Sequence, residues 1–189
     1  MLELNDVLLE GEKTTLSMMA HEGQLTCLTC DGAAAGGDGR LLRWLHAMLG
    51  LEPVASGFIS IDGEPLMPQT VQSLRRLMAF APCHLQAVGQ VRVYEPPTEQ
   101  EVFALRANRD VPISNGLLAE EARRTGASGQ QARLLAVAVL LQRPVLLVEG
   151  GVAASAGYLR RLAEAGRTVI ATTRDGGLLA AADNVVEIG

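Results

Sequence analysis

One stretch near the start of the chain constrains the fold more than any other. Residues 25–30 carry no charged side chain and predict a buried strand. Residues 32–39 are rich in glycine and alanine, and residues 40–49 predict a helix that ends before Gly50. A strand, a glycine-rich turn and a helix in this order form the architecture of a phosphate-binding loop, where backbone N–H groups attract an anion.

The loop lacks the lysine and the Ser or Thr hydroxyl with which such a motif holds a nucleotide and Mg²⁺. Two registers remain open. The first keeps both frame glycines and puts Asp38 and Gly39 at those two positions; the second puts Arg40 and Leu41 there and keeps a basic residue. A third interpretation is a flexible connection without a ligand. The candidate nucleotide-binding residues are Gly32, Gly36, Gly37, Asp38, Gly39 and Arg40.

Size and composition exclude several functional classes. The 189 residues suffice for one domain with a substantial core, and we predict a single domain over 1–189. The net charge is −5 and no long basic run occurs, which argues against nucleic acid as a partner. No apolar run reaches about 18 residues, and the first residues do not resemble a signal peptide. We therefore expect a cytoplasmic protein.

Two of the three cysteines, Cys27 and Cys30, form a C-x-x-C pair. This spacing is found in redox and zinc sites. On a strand, however, side chains three residues apart point to opposite faces, and a zinc site needs two further ligands. We interpret both cysteines as small buried apolar residues.

The remaining pattern indicates alternating strands and helices, hence an α/β fold. Residues 2–9 and 14–19 predict a hairpin, and residues 56–66 predict a strand closed by an Asp-Gly turn. Prolines interrupt residues 82–125, which we interpret as an insertion within the domain. Further strands are predicted at 77–81, 145–148, 168–173 and 185–188, and helices at 69–77, 98–108, 116–124, 129–142, 155–165 and 176–182.

Four segments in order resemble the nucleotide-binding subunits of ATP-binding-cassette (ABC) transporters. Residues 49–63 look like that family's GLxxPxxGxIxxDG stretch, and residues 127–133 look like its LSGGQ signature. Residues 144–151 lie where PxLLLLDEP is expected, and residues 166–175 look like the segment that ends in a switch histidine. The resemblance implies a P-loop NTPase-like, mostly parallel sheet flanked by helices, with an N-terminal antiparallel β part and a shortened helical subdomain at 82–125. It also implies ATP and Mg²⁺ as cofactors.

The chain departs from the family at the positions that carry its chemistry. Glu149 takes the place of the aspartate that orders Mg²⁺ and is a weak metal candidate, whereas Gly150 replaces the catalytic glutamate. Arg174 replaces the switch histidine, and Cys83 or His84 replaces the Q-loop glutamine. No aromatic residue occurs in 1–22, where the family stacks one on adenine. No residue is therefore assigned as catalytic, and the degenerate positions are Gly150, Arg174 and Cys83.

The signature segment, Ser128, Gly129 and Gln130, departs least from the family pattern. In the family this segment contacts a nucleotide held by the opposing subunit, so this chain could complete the site of a partner. A simpler interpretation is that Ser128 caps the following helix.

Three functional hypotheses follow. The first is a degenerate ABC ATPase with weak or absent hydrolysis, paired as a homodimer or heterodimer with an ABC subunit and coupled to an integral membrane permease at the inner face of the membrane. The second is a working ATPase in which Arg40 holds phosphate and Glu149 holds Mg²⁺. The third is a cytosolic regulatory scaffold without a transporter.

Overall fold

The computed structural model describes residues 1–30, 37–83 and 113–189, with the backbone alone at Gly37 and Asp38. The strands of these ranges are β1 (Leu2–Leu9), β2 (Leu16–Ala20), β3 (Leu25–Cys30), β4 (Val54–Ile61), β5 (Glu64–Pro65), β6 (Met78–Ala81), β7 (Val145–Val148), β8 (Thr168–Thr172) and β9 (Asn184–Ile188). The helices are α1 (Gly37–Met48), α2 (Val71–Arg75), α3 (Asn115–Arg124), α4 (Gly129–Leu140), α5 (Ala156–Glu164) and α6 (Gly176–Ala181), with a 3₁₀ turn at Ala153–Ser155.

The first sheet is antiparallel, with strand order β2-β1-β4-β5. Its β1–β2 hairpin confirms the hairpin predicted from residues 2–9 and 14–19. The predicted Asp-Gly turn joins β4 to β5, and Asp62 and Gly63 both have positive φ, at 50° and 82°. Two successive positive φ angles are characteristic of a type I′ turn, which explains the sequence found there.

The second sheet is parallel, with strand order β6-β7-β8-β3-β9. β7 and β8 lie inside it and every residue in both strands is buried, in agreement with their continuous apolar sequences. Because all its strands run in one direction, the carboxyl ends of β3, β6, β7 and β8 lie along one edge. The predicted α/β architecture, a parallel sheet flanked by helices with an antiparallel β part, is confirmed.

The helices of the described ranges agree with the sequence pattern within a few residues. α4 is buried along most of its length, and α5 shows the mixed burial of an amphipathic helix. α3 lies in the described part of the predicted insertion, while the helix predicted at 98–108 lies outside the described residues. No helix in the described ranges is both long and apolar enough to cross a membrane.

The core consists of apolar side chains on both faces of the parallel sheet. One cluster joins that sheet to the antiparallel sheet and includes Leu4, Trp44 and Leu147. A second cluster lies between the opposite face and helices α4, α5 and α6. Cys30 belongs to the first cluster and Cys27 to the second, so the two thiols lie on opposite faces of the sheet, as predicted. Neither cysteine forms a disulfide within the described ranges, and burial raises the pKa of Cys27 to about 12.

Candidate functional site

A groove of about 300 Å³ lies at the carboxyl edge of the parallel sheet. This edge is where open parallel sheets generally bind ligands. The groove is formed mainly by the turns after β7 and β8, together with one residue after β6 and one from α1. Its lining residues are Leu41, Cys83, Glu149, Gly150, Gly151, Thr172, Thr173, Arg174 and Asp175. Four of them are candidate site positions predicted from the sequence: Cys83, Glu149, Gly150 and Arg174.

Glu149 is the first residue after β7 and is only 9% exposed. Its backbone N–H donates to the carbonyl of Ala81 (2.9 Å), and its side-chain Oε2 accepts from the backbone N–H of Cys83 (3.0 Å). Among the residues that the structure describes, no cationic side chain forms an ion pair with this carboxylate. A carboxylate that is nine-tenths buried with one N–H donor remains available to a cation.

Gly150 has a φ of +63°, in the left-handed region that favours glycine. Its N–H donates to Thr172 Oγ1 (3.0 Å), and Gln131 of α4 donates its side-chain N–H₂ to the carbonyls of Gly150 (2.7 Å) and Glu149 (3.2 Å). A Cβ at this position would have ordinary contacts, with Cys83 Cβ at 3.5 Å. There is therefore room for a side chain, but the backbone conformation opposes one.

The turn after β8 is fixed by a second set of hydrogen bonds. The hydroxyl of Thr173 donates to the carbonyl of Gly151 (2.6 Å) and accepts from the N–H of Asp175 (3.0 Å). The Asp175 carboxylate accepts from the N–H groups of Ala153 (3.0 Å) and Gly177 (2.8 Å). These backbone hydrogen bonds lower the pKa of Asp175, and the bond from Ala153 has the largest effect. The turns after β7 and β8 are thereby tied to each other.

Arg174 brings positive charge to the groove. Its side chain is exposed, and Nη2 lies 3.4 Å from Sγ of Cys30 at the end of β3. The described lining residues thus include one guanidinium, Arg174, and two carboxylates, Glu149 and Asp175. Such a groove is electrostatically better suited to an anion that arrives with a divalent cation than to an anion alone.

Arg40, the basic candidate of the phosphate-binding loop, makes its contacts elsewhere. Its guanidinium binds the carboxylate of Glu12 through Nε (2.9 Å) and Nη2 (2.5 Å), and it also donates to the carbonyls of Ile188 and Gly189. The hydrogen bond that Arg40 donates to Glu12 raises the pKa of Arg40. Gly37 and Gly39 lie in the first turn of α1, whereas Gly32 and Gly36 are outside the described ranges, as is the side chain of Asp38.

The signature residues lie at the start of α4. Ser128 occupies the N-cap position with extended backbone angles (φ −123°, ψ 160°), yet its side chain forms no capping hydrogen bond. Gly129 has a φ of +56°, and Ser128, Gly129 and Gln130 are all exposed. Ser128 therefore occupies the N-cap position, but its hydroxyl does not cap α4, in contrast to the simpler interpretation drawn from the sequence.

Solved structures share this architecture over nearly the whole chain. An ATP-binding subunit of an ABC transporter superposes with a TM-score of 0.68 and 19% identity, covering 99% of this chain and 85% of the other. The fold is that of an ABC transporter ATP-binding subunit.

Two further structures support the ABC ATPase fold. CbiO1 of Clostridium perfringens, part of the ABC transporter complex CbiONQ, gives a TM-score of 0.64 at 13% identity, covering 98% of this chain and 83% of CbiO1. A bacterial Atm1-family ABC exporter with ATP bound gives a TM-score of 0.68 at 16% identity and covers all of this chain, which spans only 36% of the exporter. The sequence matches no family model and no curated protein.

An ABC ATPase fold raises the question of which residues could hold Mg²⁺ and ATP. Within the described ranges, no three His, Cys, Asp or Glu side chains are close enough to form a metal site by themselves. Mg²⁺, however, is commonly bound by one or two carboxylates together with phosphate oxygens and water, so Glu149 fits as a single ligand. Arg174 is the groove residue best placed by charge to contact a phosphate group.

Besides groove residues such as Thr173 and Asp175, Gln131 is a residue of this site that was not predicted from the sequence. The sequence offers one indication of its role, which is that Gln131 directly follows the three signature residues. Its contacts with Glu149 and Gly150 connect the signature helix α4 to the turn after β7 within the same chain.

Proposed function

We propose that this chain acts as a degenerate ABC ATPase subunit, with weak or absent ATP hydrolysis. The observation that carries this proposal is the turn after β7. The residue after Glu149 is a glycine with positive φ, and its carbonyl accepts a hydrogen bond from Gln131. The family resemblance expects a glutamate there to polarise the attacking water. Glycine cannot do so, and the local backbone conformation opposes any substitute at the same position.

The other charged residues of the groove do not replace that carboxylate. Glu149 lies one residue before the position of the catalytic glutamate, and its Oε2 already accepts a hydrogen bond from the backbone N–H of Cys83. Both oxygens of Asp175 accept backbone hydrogen bonds from Ala153, Gly177 and Leu178. Arg174 can bind a phosphate but stays protonated near neutral pH, so it cannot act as a proton shuttle.

A subunit of this kind would act through its partners. The exposed signature residues Ser128, Gly129 and Gln130 would contact a nucleotide held by the opposing ABC subunit, in a homodimer or a heterodimer. The insertion at 82–125 would dock on an integral membrane permease and would place this cytoplasmic protein at the inner face of the membrane. Gln131, next to the signature residues, donates hydrogen bonds to the groove residues Glu149 and Gly150. A conformational change in the groove would therefore be transmitted to the signature, and the reverse.

The test combines binding and turnover on the purified chain. Calorimetry with Mg-ATP up to millimolar concentration measures binding, and a phosphate-release assay measures hydrolysis for the wild type and for Glu149→Gln. We expect no release above background in either protein. ATP turnover in the wild type that Glu149→Gln abolishes would refute degeneracy.

A second measurement addresses the partner. Co-expression with a candidate ABC subunit and permease, followed by co-purification, should retain this chain in the complex. Ser128→Trp should weaken that retention because Ser128 is exposed, whereas Glu64→Trp, an exposed change on the antiparallel sheet, should not. Retention that is equal in both variants contradicts the assigned surface. A chain that binds neither Mg-ATP nor these partners would instead be a cytosolic regulatory scaffold.

The second candidate function is a working ATPase with an unusual site. It is favoured by the buried carboxylate of Glu149, which has no cationic partner among the described residues and could bind Mg²⁺. Arg40 would then hold the phosphates, which requires that it leave Glu12. Turnover that is lost on Arg40→Ala would favour this candidate over the first.

A further inference from the structure

Two arginines of helix α1 converge on one carboxylate that the groove does not include. Arg40 binds Oε2 of Glu12 through Nε (2.9 Å) and Nη2 (2.5 Å), while Nη1 of Arg43 lies 3.5 Å from Oε1. The side chain of Glu12 is 9% exposed and those of Arg40 and Arg43 are 30% and 34% exposed. The carboxylate is therefore enclosed by the two guanidinium groups, which remain partly open to solvent.

The remaining contacts of the two arginines hold them in position. Arg40 also donates to the carbonyls of Ile188 and Gly189 at the end of β9. Arg43 donates to the carbonyl of Glu10 (2.6 Å) and forms an ion pair with Glu52 (2.6 Å). Backbone carbonyls and a second carboxylate thus orient the pair of guanidinium groups, which form a two-sided anion site.

The carboxylate in that site comes from a surface turn. Glu12 lies in the β1–β2 turn, whose neighbouring residues 11 and 13–15 are exposed. Gly11 has a φ of +80° and no atom within 4 Å of the position of a Cβ. Besides Glu12, this turn is held by the carbonyl of Glu10, which accepts from Arg43 (2.6 Å), and by the hydroxyl of Thr14, which donates to the carbonyl of Gly189 (3.4 Å). All of these contacts are polar and lie at the surface, so the turn can shift outward without disturbing the core.

We propose that Arg40 and Arg43 form a binding site for a phosphoryl group, in which Glu12 is an internal ligand that an incoming anion displaces. None of these three residues lines the groove. The site shares Arg40 with the second candidate function, but it depends neither on ATP hydrolysis nor on pairing with an ABC subunit. Planar guanidinium groups bind the oxygens of carboxylates and phosphates with the same paired geometry. Glu12 accordingly takes the position of phosphate oxygens.

The charge of the ligand decides the competition. Glu12 carries one negative charge but is tethered, which gives it an effective concentration on the order of millimolar or more. A phosphoryl anion with two or more charges interacts more strongly with two guanidinium groups than a free carboxylate does. The wild type should therefore bind such an anion weakly, and removal of the Glu12 charge should expose the site.

The experiment measures the binding of inorganic pyrophosphate by calorimetry at low, fixed ionic strength. Glu12→Gln should bind about tenfold more tightly than the wild type, since it keeps the shape of the side chain and removes the competing charge. The matched control is Glu10→Gln, which changes the net charge equally in the same turn, where Glu10 contacts Arg43 through its backbone carbonyl. That control should stay within threefold of the wild type.

A double variant completes the test. Arg40→Gln added to Glu12→Gln should remove the gain in affinity. Three results together support the site. Glu12→Gln binds pyrophosphate at least threefold more tightly than the wild type, Glu10→Gln does not, and the double variant loses the gain. A smaller gain, or one shared with either of the other variants, overturns it.

A measurement on the wild type covers the case in which Glu12→Gln fails to fold. Pyrophosphate is titrated against ¹⁵N-labelled protein, with sodium chloride of equal ionic strength as the reference. Displacement of Glu12 should give saturable shifts in the amide signals of Gly11 and Glu12. Shifts no larger than those produced by the salt overturn the proposal. Because Mg-ATP is absent, neither result bears on degeneracy or on the partner.

Discussion

At the scale of single residues, Asp175 ties two turns of the groove through its charge. Its carboxylate accepts backbone hydrogen bonds from Ala153, Gly177 and Leu178, and these lower its pKa below the usual 3.8. A carboxyl group with a depressed folded-state pKa stabilises the fold above its unfolded pKa, and the contribution is lost as pH falls through the folded value. Asp175→Ala should therefore lower the melting temperature at pH 7, and the difference from the wild type should narrow below pH 3.8.

The measurement is thermal unfolding followed by circular dichroism at pH 7 and at pH 3. Glu64→Ala provides the comparison, because Glu64 is an exposed residue for whose side chain the structure shows no hydrogen bond within the described ranges. A melting-temperature difference for Asp175→Ala that stays equal at both pH values would show that the charge of Asp175 contributes nothing.

At the scale of elements, Gly126 sets the distance between the α3–α4 helix pair and the core. It has a φ of +72°, and a Cβ there would lie 1.9 Å from the backbone carbonyl oxygen of Ala154 in the 3₁₀ turn. Gly63 also has positive φ, at 82°, but open space around it. Gly63→Ala should cost about 1 kcal/mol from backbone strain alone. Gly126→Ala should cost about 3 kcal/mol or more because backbone must also move.

Urea unfolding of the two alanine variants gives both free energies. Each substitution adds one methyl group at a left-handed glycine, so the difference between them isolates the steric contact with Ala154. Equal losses would mean that the helix pair shifts freely against the core and that Gly126 does not fix its position.

The elements themselves were predictable from the sequence, whereas the contacts of the site were not. The apolar runs that became β7 and β8 and the hairpin around Gly11 depend on local pattern, which the sequence carries directly. The pairing of Arg40 with Glu12 spans 28 residues, and that of Gln131 with Gly150 spans 19. Such contacts depend on how helices pack on the sheet. The loop made Arg40 a candidate phosphate ligand, while the structure shows its guanidinium bound to Glu12.

At the scale of the whole molecule, the two sheets share one hydrophobic cluster. It contains β1 and β4 residues such as Leu4 and Ile61 from the antiparallel sheet, and Leu28 and Leu147 from the parallel sheet. Neither sheet could expose this face without losing apolar burial, which stabilises by roughly 25 cal/mol per Å². The prediction of a single domain over 1–189 therefore implies that both sheets unfold together.

The single tryptophan allows that implication to be tested directly. Trp44 is 1% exposed within the shared cluster, so its fluorescence reports the contact between the sheets. In urea, the red shift of its emission should coincide with the loss of far-ultraviolet circular dichroism, with one midpoint and one slope. A tryptophan transition that precedes the loss of secondary structure would mean that the antiparallel sheet separates first. The two sheets would then be independent units, and any signal between the groove and a partner would have to travel through the parallel sheet and α4 alone.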